Sequence, residues 1–156
     1  MARITTNTTG TQPVIVIGTV GANLANSSVA MTIPFIQELT ITNSTGVYAY
    51  TTFSDVDTRK VSTPADNELT TNVVIDDLAF FGNANATANS AVFYGIMSLS
   101  SNKVALDFKV LWAGANSTYT TGTGFLTNVA AKTSPTAPVW VTPLNLAVDG
   151  AMTTTK

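Results

Sequence analysis

Apolar residues along this chain recur with a period of two, and no stretch shows convincing helical periodicity. The clearest run is Val104 to Trp112, where Val104, Leu106, Phe108, Val110 and Trp112 share one parity and Ala105, Asp107, Lys109 and Leu111 the other. Side chains of an extended strand alternate between two faces, so such a run buries one face and wets the other. A chain written this way is expected to fold mainly into sheet. Ala91 to Leu99 reads as a further strand, and Ser100-Ser101-Asn102 has the chemistry of a turn. The two runs predict a β-hairpin.

The same pattern recurs upstream. Ile33, Phe35, Gln37, Leu39 and Ile41 alternate with Pro34, Ile36, Glu38 and Thr40, then Asn43-Ser44-Thr45-Gly46 punctuates the run before Val47 to Phe53. That predicts a second hairpin, with Pro34 at an edge or a bulge because it has no N–H to donate. Further strands are expected over Pro13 to Val20, Leu69 to Phe81, Gly124 to Ala131, Val139 to Thr142 and Leu144 to Val148. Asn83 to Ser90 is rich in both alanine and asparagine and fits a short helix or an ordered loop equally well. Leu126 to Lys132 carries the same ambiguity. The expected fold class is all-β: a β-sandwich or partial barrel with at most one short helix and extended terminal arms.

In 156 residues there is room for one domain with a real core. Residues 13 to 148 are assigned to it, residues 1 to 12 to an N-terminal arm and residues 149 to 156 to a C-terminal tail, since neither end has a core-facing pattern. With 45% hydrophobic residues and a formal net charge of −2, the chain is not of the disordered class. No apolar run reaches the roughly 18 residues of a membrane-spanning helix, and no membrane partner is expected. The N-terminus lacks the apolar core of a secretory signal, so export is not expected.

Composition narrows the chemistry. The chain has no histidine and no cysteine, and only 10% of its residues are charged, against roughly 25% in an average soluble domain. Without cysteine there are no disulfides and no thiolate metal sites. Without histidine the usual base for a serine or threonine nucleophile is missing, and no SxxK motif replaces it. Gly18-Thr19-Val20-Gly21 and Gly122-Thr123-Gly124 form no phosphate-binding loop. The acidic balance argues against a protein that neutralises nucleic-acid phosphates, yet it suits a channel wall past which DNA slides. Neither an enzyme nor a cofactor is expected.

Charge concentrates in one place. Ser54 to Glu68 holds Asp55, Asp57, Arg59, Lys60, Asp66 and Glu68, six of the sixteen charged residues within fifteen positions. A solvated loop at a hairpin tip accounts for this, and so does a loop whose mixed charges set register against a neighbouring subunit. Calcium ligation by Asp55, Asp57 and Asp66 lacks the glycine and closing glutamate of an EF-hand. Asp76-Asp77 and Asp107 fit strand-edge solvation, or pairing with Lys103, Lys109 or Lys132, better than a catalytic dyad. Five Asn-x-Ser/Thr sequons, at Asn7, Asn26, Asn43, Asn85 and Asn116, follow from an Asn- and Thr-rich composition. Trp112, Trp140, Phe80, Phe81, Phe93 and Tyr94 are expected in the core.

This charge-poor β-domain with polar arms, its charged internal loop and its C-terminal stretch Thr133-Ser134-Pro135-Thr136-Ala137-Pro138-Val139-Trp140-Val141-Thr142-Pro143 leading into Leu144 to Gly150 resembles the virion structural proteins of tailed bacteriophages, above all tail tube proteins. The resemblance implies a subunit of hexameric rings whose inner strands close a common β-barrel. The rings stack into a DNA-conducting tube, with long loops and arms bridging them, and Ser54 to Glu68 becomes the bridging loop. Partners would be further copies of the chain, other virion proteins, and DNA as non-specific cargo. The location would be the virion, after synthesis in the host cytoplasm. A capsid decoration protein is the alternative. A pilus or adhesin subunit ranks lower, since it needs export and usually a disulfide.

Overall fold

The computed structural model describes residues 13–33, 36–54, 56–75, 77–112, 118–130, 132–134 and 137–156. The elements run β1 (Val14–Thr19), β2 (Met31–Ile33), β3 (Ile36–Tyr50), β4 (Arg59–Ile75), α1 (Asp77–Phe81), α2 (Ala91–Ser101), β5 (Leu106–Leu111), β6 (Tyr119–Val129), β7 (Lys132–Ser134) and β8 (Ala137–Thr155). The chain is all-β in class. Its strands form one open antiparallel sheet in the order β2-β1-β5-β6-β8-β4-β3, with β7 pairing β8 off that path.

Among the described residues the second layer is helical and not a second sheet. Leu106, Phe108 and Val110 of β5, Ile15 and Ile17 of β1, Leu126 of β6, Leu144 and Leu146 of β8 and Leu69 and Val73 of β4 turn inward. There they meet Phe80 of α1 and Ala91, Ile96 and Leu99 of α2. The alternation in β5 held because one face packs under the helices, whereas Asp107 and Lys109 on the other parity are half-exposed.

Several expected elements are corrected. Ala91 to Leu99 is helix, so the hairpin with Val104 to Trp112 does not exist. Ser90 caps α2, its Oγ accepting the Phe93 N–H at 3.1 Å. Ala91, Gly95, Ile96 and Leu99 are buried, and Gly95, with φ 70° and ψ 163°, interrupts α2 with a kink. Ser100-Ser101-Asn102 is the helix end: the Asn102 N–H bonds to Ser98, and Lys103 takes a left-handed φ of 51°. The expected strand Leu69 to Phe81 stops at Ile75, and Asp77 opens α1 with Oδ1 accepting the Leu78 N–H at 3.0 Å. Two helices therefore replace the single short one expected. Asn83 to Ser90 is an ordered loop of turns, held by Asn83 Oδ1 accepting the Asn85 N–H and by the Ala86-to-Asn83 and Ser90-to-Thr87 backbone bonds. Leu126 begins no helix, since β6 runs on to Val129.

The second expected hairpin is displaced as well. Asn43-Ser44-Thr45-Gly46 is not its turn; Asn43, Ser44 and Thr45 pair in succession with Asn67, Asp66 and Ala65. Gly46 takes up a register shift opposite Thr63 and Pro64. Cross-strand pairing along fifteen residues outweighs a local turn preference. β3 instead folds back through residues 51–58 onto β4, and Pro34 and Phe35 lie outside the described residues. The C-terminal residues 149 to 155 continue β8, with Thr153, Thr154 and Thr155 opposite Thr121, Thr120 and Tyr119 of β6. Val139 to Thr142 and Leu144 to Val148 are parts of that one strand. Pro143 falls where β6 pairing has ended, at Val129↔Leu144, and β7 pairing begins, at Lys132↔Val141, so its missing N–H breaks no described register pair on that side.

Candidate assembly surface

Two surfaces follow from this register. The first is the outward face of β3, β4, β8 and β6. Pairing sets Thr40, Thr70 and Asn145 in one row, Glu38, Asn72 and Pro143 in a second, and Thr42, Glu68 and Ala147 in a third. Asn128 of β6 extends the first row. Glu38, Thr40, Thr70, Asn72 and Asn145 line a shallow polar hollow on this face, together with Thr71. Through residues 36–45, 65–75 and 142–149 the sequence carries four acids, Glu38, Asp66, Glu68 and Asp149, and no lysine or arginine. All four carboxylates are exposed.

The second surface is the far half of the β3–β4 hairpin. β8 accompanies β4 only as far as Asn67↔Val148. Beyond that row Arg59 to Asp66 and Ser44 to Tyr50 have each other and no third described strand. At the fork the Asn67 Nδ2 donates to the Gly150 carbonyl at 2.8 Å, bridging the diverging β4 and β8, and Gly150 adopts the left-handed φ of 85° that lets β8 bend away. Asn67 is 4% exposed and its Oδ1 has no hydrogen-bond partner.

The projecting ribbon exposes apolar side chains among its polar and charged ones. Val47 (61% exposed) and Tyr48 (62%) stand on opposite faces, with Phe53 and Val56 fully exposed at the tip. Tyr48 and Tyr50 stack with centroids 6.2 Å apart. These are the residues the sequence reading passed over. The available signal was the adjacent pair Val47-Tyr48, which leaves no polar face, and the isolated Phe53 and Val56 in a polar turn.

The charged segment does not close into one site. Asp55 lies outside the described residues, and Asp57 sits exposed in the turn. Arg59 and Lys60 open β4 opposite Tyr50 and Ala49, while Asp66 and Glu68 sit further along it opposite Ser44 and Thr42. At about 3.3 Å per residue, Arg59 and Glu68 are roughly 30 Å apart. Asp57 and Asp66 cannot share an ion, and among the described residues no acidic group is arranged to hold a metal.

The remaining predicted positions are structural. Asp107 Oδ2 accepts the Gly21 N–H and Oδ1 accepts from Thr123 Oγ1, both at 2.8 Å, tying the loop after β1 to β5 and β6. Lys109 Nζ lies 4.0 Å from the centre of the Tyr119 ring. Of the aromatics, Phe80 is buried, Phe93, Tyr94 and Trp112 are partly buried, and Phe81 is 57% exposed, contrary to expectation. Trp112 Nε1 donates to Thr120 Oγ1 at 2.9 Å. The Trp140 side chain lies outside what is described.

No protein-family model matches the sequence, and no curated protein resembles it significantly. Solved structures do. A chain in the tail of an empty gene transfer agent particle, refined with helical C6 symmetry, superposes with a TM-score of 0.60 at 13% identity, covering 91% of this chain and 96% of that one. A chain of the native gene transfer agent virion gives 0.58 at 12% identity, covering 90% and 95%. The fold is thus one found in phage-like tail particles, and the resemblance expected from the sequence is met at the level of fold.

Proposed function

We propose that this chain is a non-enzymatic structural subunit of a phage-type tail, and that it assembles into rings that stack into a DNA-conducting tube. The observation that carries this reading is the sector of the outward face over residues 36–45, 65–75 and 142–149, which holds four carboxylates and no lysine or arginine of its own, with Lys132 and Lys109 on the neighbouring strands. Phosphates held near such a wall are repelled and screened only over about 10 Å at 0.1 M salt, so DNA would pass without sticking. The neighbouring C6 tail shares the fold and supports six copies to a ring. The two sheet edges, β2 and β3, supply strands for joining subunits within the ring. The hairpin that leaves the sheet at Asn67 supplies the bridge to the next ring. Residues 1 to 12 act as an arm whose removal weakens assembly and spares folding. The subunit is made in the host cytoplasm and resides in the virion tail.

Reversing charge on the wall tests the lumen assignment. Tubes of the double variant Glu38→Lys, Glu68→Lys are expected to retain DNA in a nuclease-protected form that is released by high salt. Retention equal to the parent chain would mean that this face does not line the channel. Arg59→Glu with Lys60→Glu is expected to weaken ring stacking while the thermal unfolding of the subunit stays unchanged. Unaltered assembly would remove the hairpin from the ring-to-ring contact.

A further inference from the structure

We propose that the N-terminal arm docks back on its own subunit, as a strand in the fork that opens between β4 and β8 beyond Asn67. The proposal concerns the single subunit and holds whether or not that subunit builds a tube.

The fork offers two strand edges. β4 and β8 pair up to Asn67↔Val148 and then part, β8 following β6 to Thr155 while β4 keeps only β3. No described strand pairs the edges that face into the fork, residues 60–66 of β4 and 149–155 of β8. Such edges are templates for a further strand. At the apex Asn67 Nδ2 holds the Gly150 carbonyl, while its buried Oδ1 accepts no hydrogen bond. A backbone N–H entering the fork would satisfy that oxygen.

Register shows that the arm can reach. Val14 lies in one row with Leu111, Tyr119 and Thr155, so β1 begins at the end of the sheet where the fork opens. The fork is four strand spacings from β1, past β5, β6 and β8, or about 19 Å. Residues 1 to 12 in extended form span about 40 Å. Half of the arm crosses the gap, and the half that includes Arg3, Ile4 and Thr5 enters the fork. Traced this way the arm runs antiparallel to β4, the more stable sense of pairing.

The chemistry of arm and fork agrees. Ile4, Thr5 and Thr6 are β-branched and suit a strand. Arg3 is the one charged side chain of residues 1 to 12. Around the apex stand the exposed carboxylates of Asp66, Glu68 and Asp149, whereas Asp57, Arg59, Lys60 and Lys156 lie at or beyond the mouth. An arm that enters tip first carries Arg3 past the mouth toward the acids. Docked there, it widens to three strands the base of a ribbon whose two strands alone are marginal in water.

The test uses the full chain below its assembly concentration, and the absence of native cysteine makes it clean. Ile4→Cys is combined in turn with Val61→Cys, Ser62→Cys and Ala65→Cys on β4. At least one pair is expected to close an intrachain disulfide on mild oxidation, read by mass spectrometry of non-reduced peptides. Thr87→Cys, in the loop beside Thr19 at the opposite end of β1, is expected to react with Ile4→Cys about tenfold more slowly or less. In a second variant, Ile4→Pro with Thr6→Pro removes two N–H donors of the docked strand. It is expected to speed amide exchange of residues 60–66 about tenfold and to leave residues 106–111 of β5 unchanged. Disulfides that form only between chains, equal reaction at Thr87→Cys and in the fork, or exchange that the prolines do not alter would each overturn the docking.

Discussion

Phe108 is a residue whose place could be read directly from its neighbours: it sits between Leu106 and Val110 on the inward parity of β5 and is fully buried. Phe108→Ala is expected to cost about 3–5 kcal/mol of unfolding free energy, measured by urea denaturation. Ser90→Ala removes the cap of α2 and is expected to cost about 1 kcal/mol by the same measurement. Gly95 was harder to read. It has a left-handed φ of 70° inside α2, and a Cβ there would run into the backbone of Phe81 and Gly82 at the end of α1. Gly95→Ala is therefore expected to cost more than about 1 kcal/mol, the conformational part of the loss being compounded by the clash. The same glycine hid the helix. Ala91, Val92, Phe93 and Tyr94 are apolar at every position, so alternation can be drawn through them. No single helical period runs from 91 to 101, because Gly95 breaks α2 into two short helical segments.

The hairpin explains why element boundaries were less legible than element type. Asn43-Ser44-Thr45-Gly46 has turn chemistry, but a turn there would forfeit the pairs that run from Ile36 to Tyr50. Those pairs join residues as far apart in sequence as Ile36 and Val73 and are invisible to a local window. The strand character of the flanking residues was legible because one half of β3 packs Leu39 and Ile41 against the core. The charged cluster between 54 and 68 was noticed for its density, yet extension along β4 spreads it over the length of the ribbon. What the density marked was the hairpin itself. Replacing residues 47–61 with an Asn-Gly turn is expected to leave the subunit folded, with an unfolding free energy within about 1 kcal/mol of the parent, and to abolish assembly, measured by sedimentation. A subunit that fails to fold without the ribbon would show it to be part of the domain.

As a whole the molecule has two unlike sides: a helical layer over the core, and a sheet face of threonine, asparagine and carboxylate. Sheet content was legible from period two, whereas the partner layer was not, since an inward strand face reads the same whether it meets strands or helices. Missing histidine and cysteine and scarce charge pointed to contact surfaces as the chain's working parts, and the apolar ribbon and anionic face give those surfaces a location. The most direct test is an electron cryo-microscopy reconstruction of the polymer formed by the purified chain. The account predicts a hollow tube of stacked rings with Glu38, Glu68 and Asn145 facing the lumen and each hairpin crossing a ring boundary; a chain that stays monomeric at high concentration, or a tube with α1 and α2 lining its bore, would contradict it.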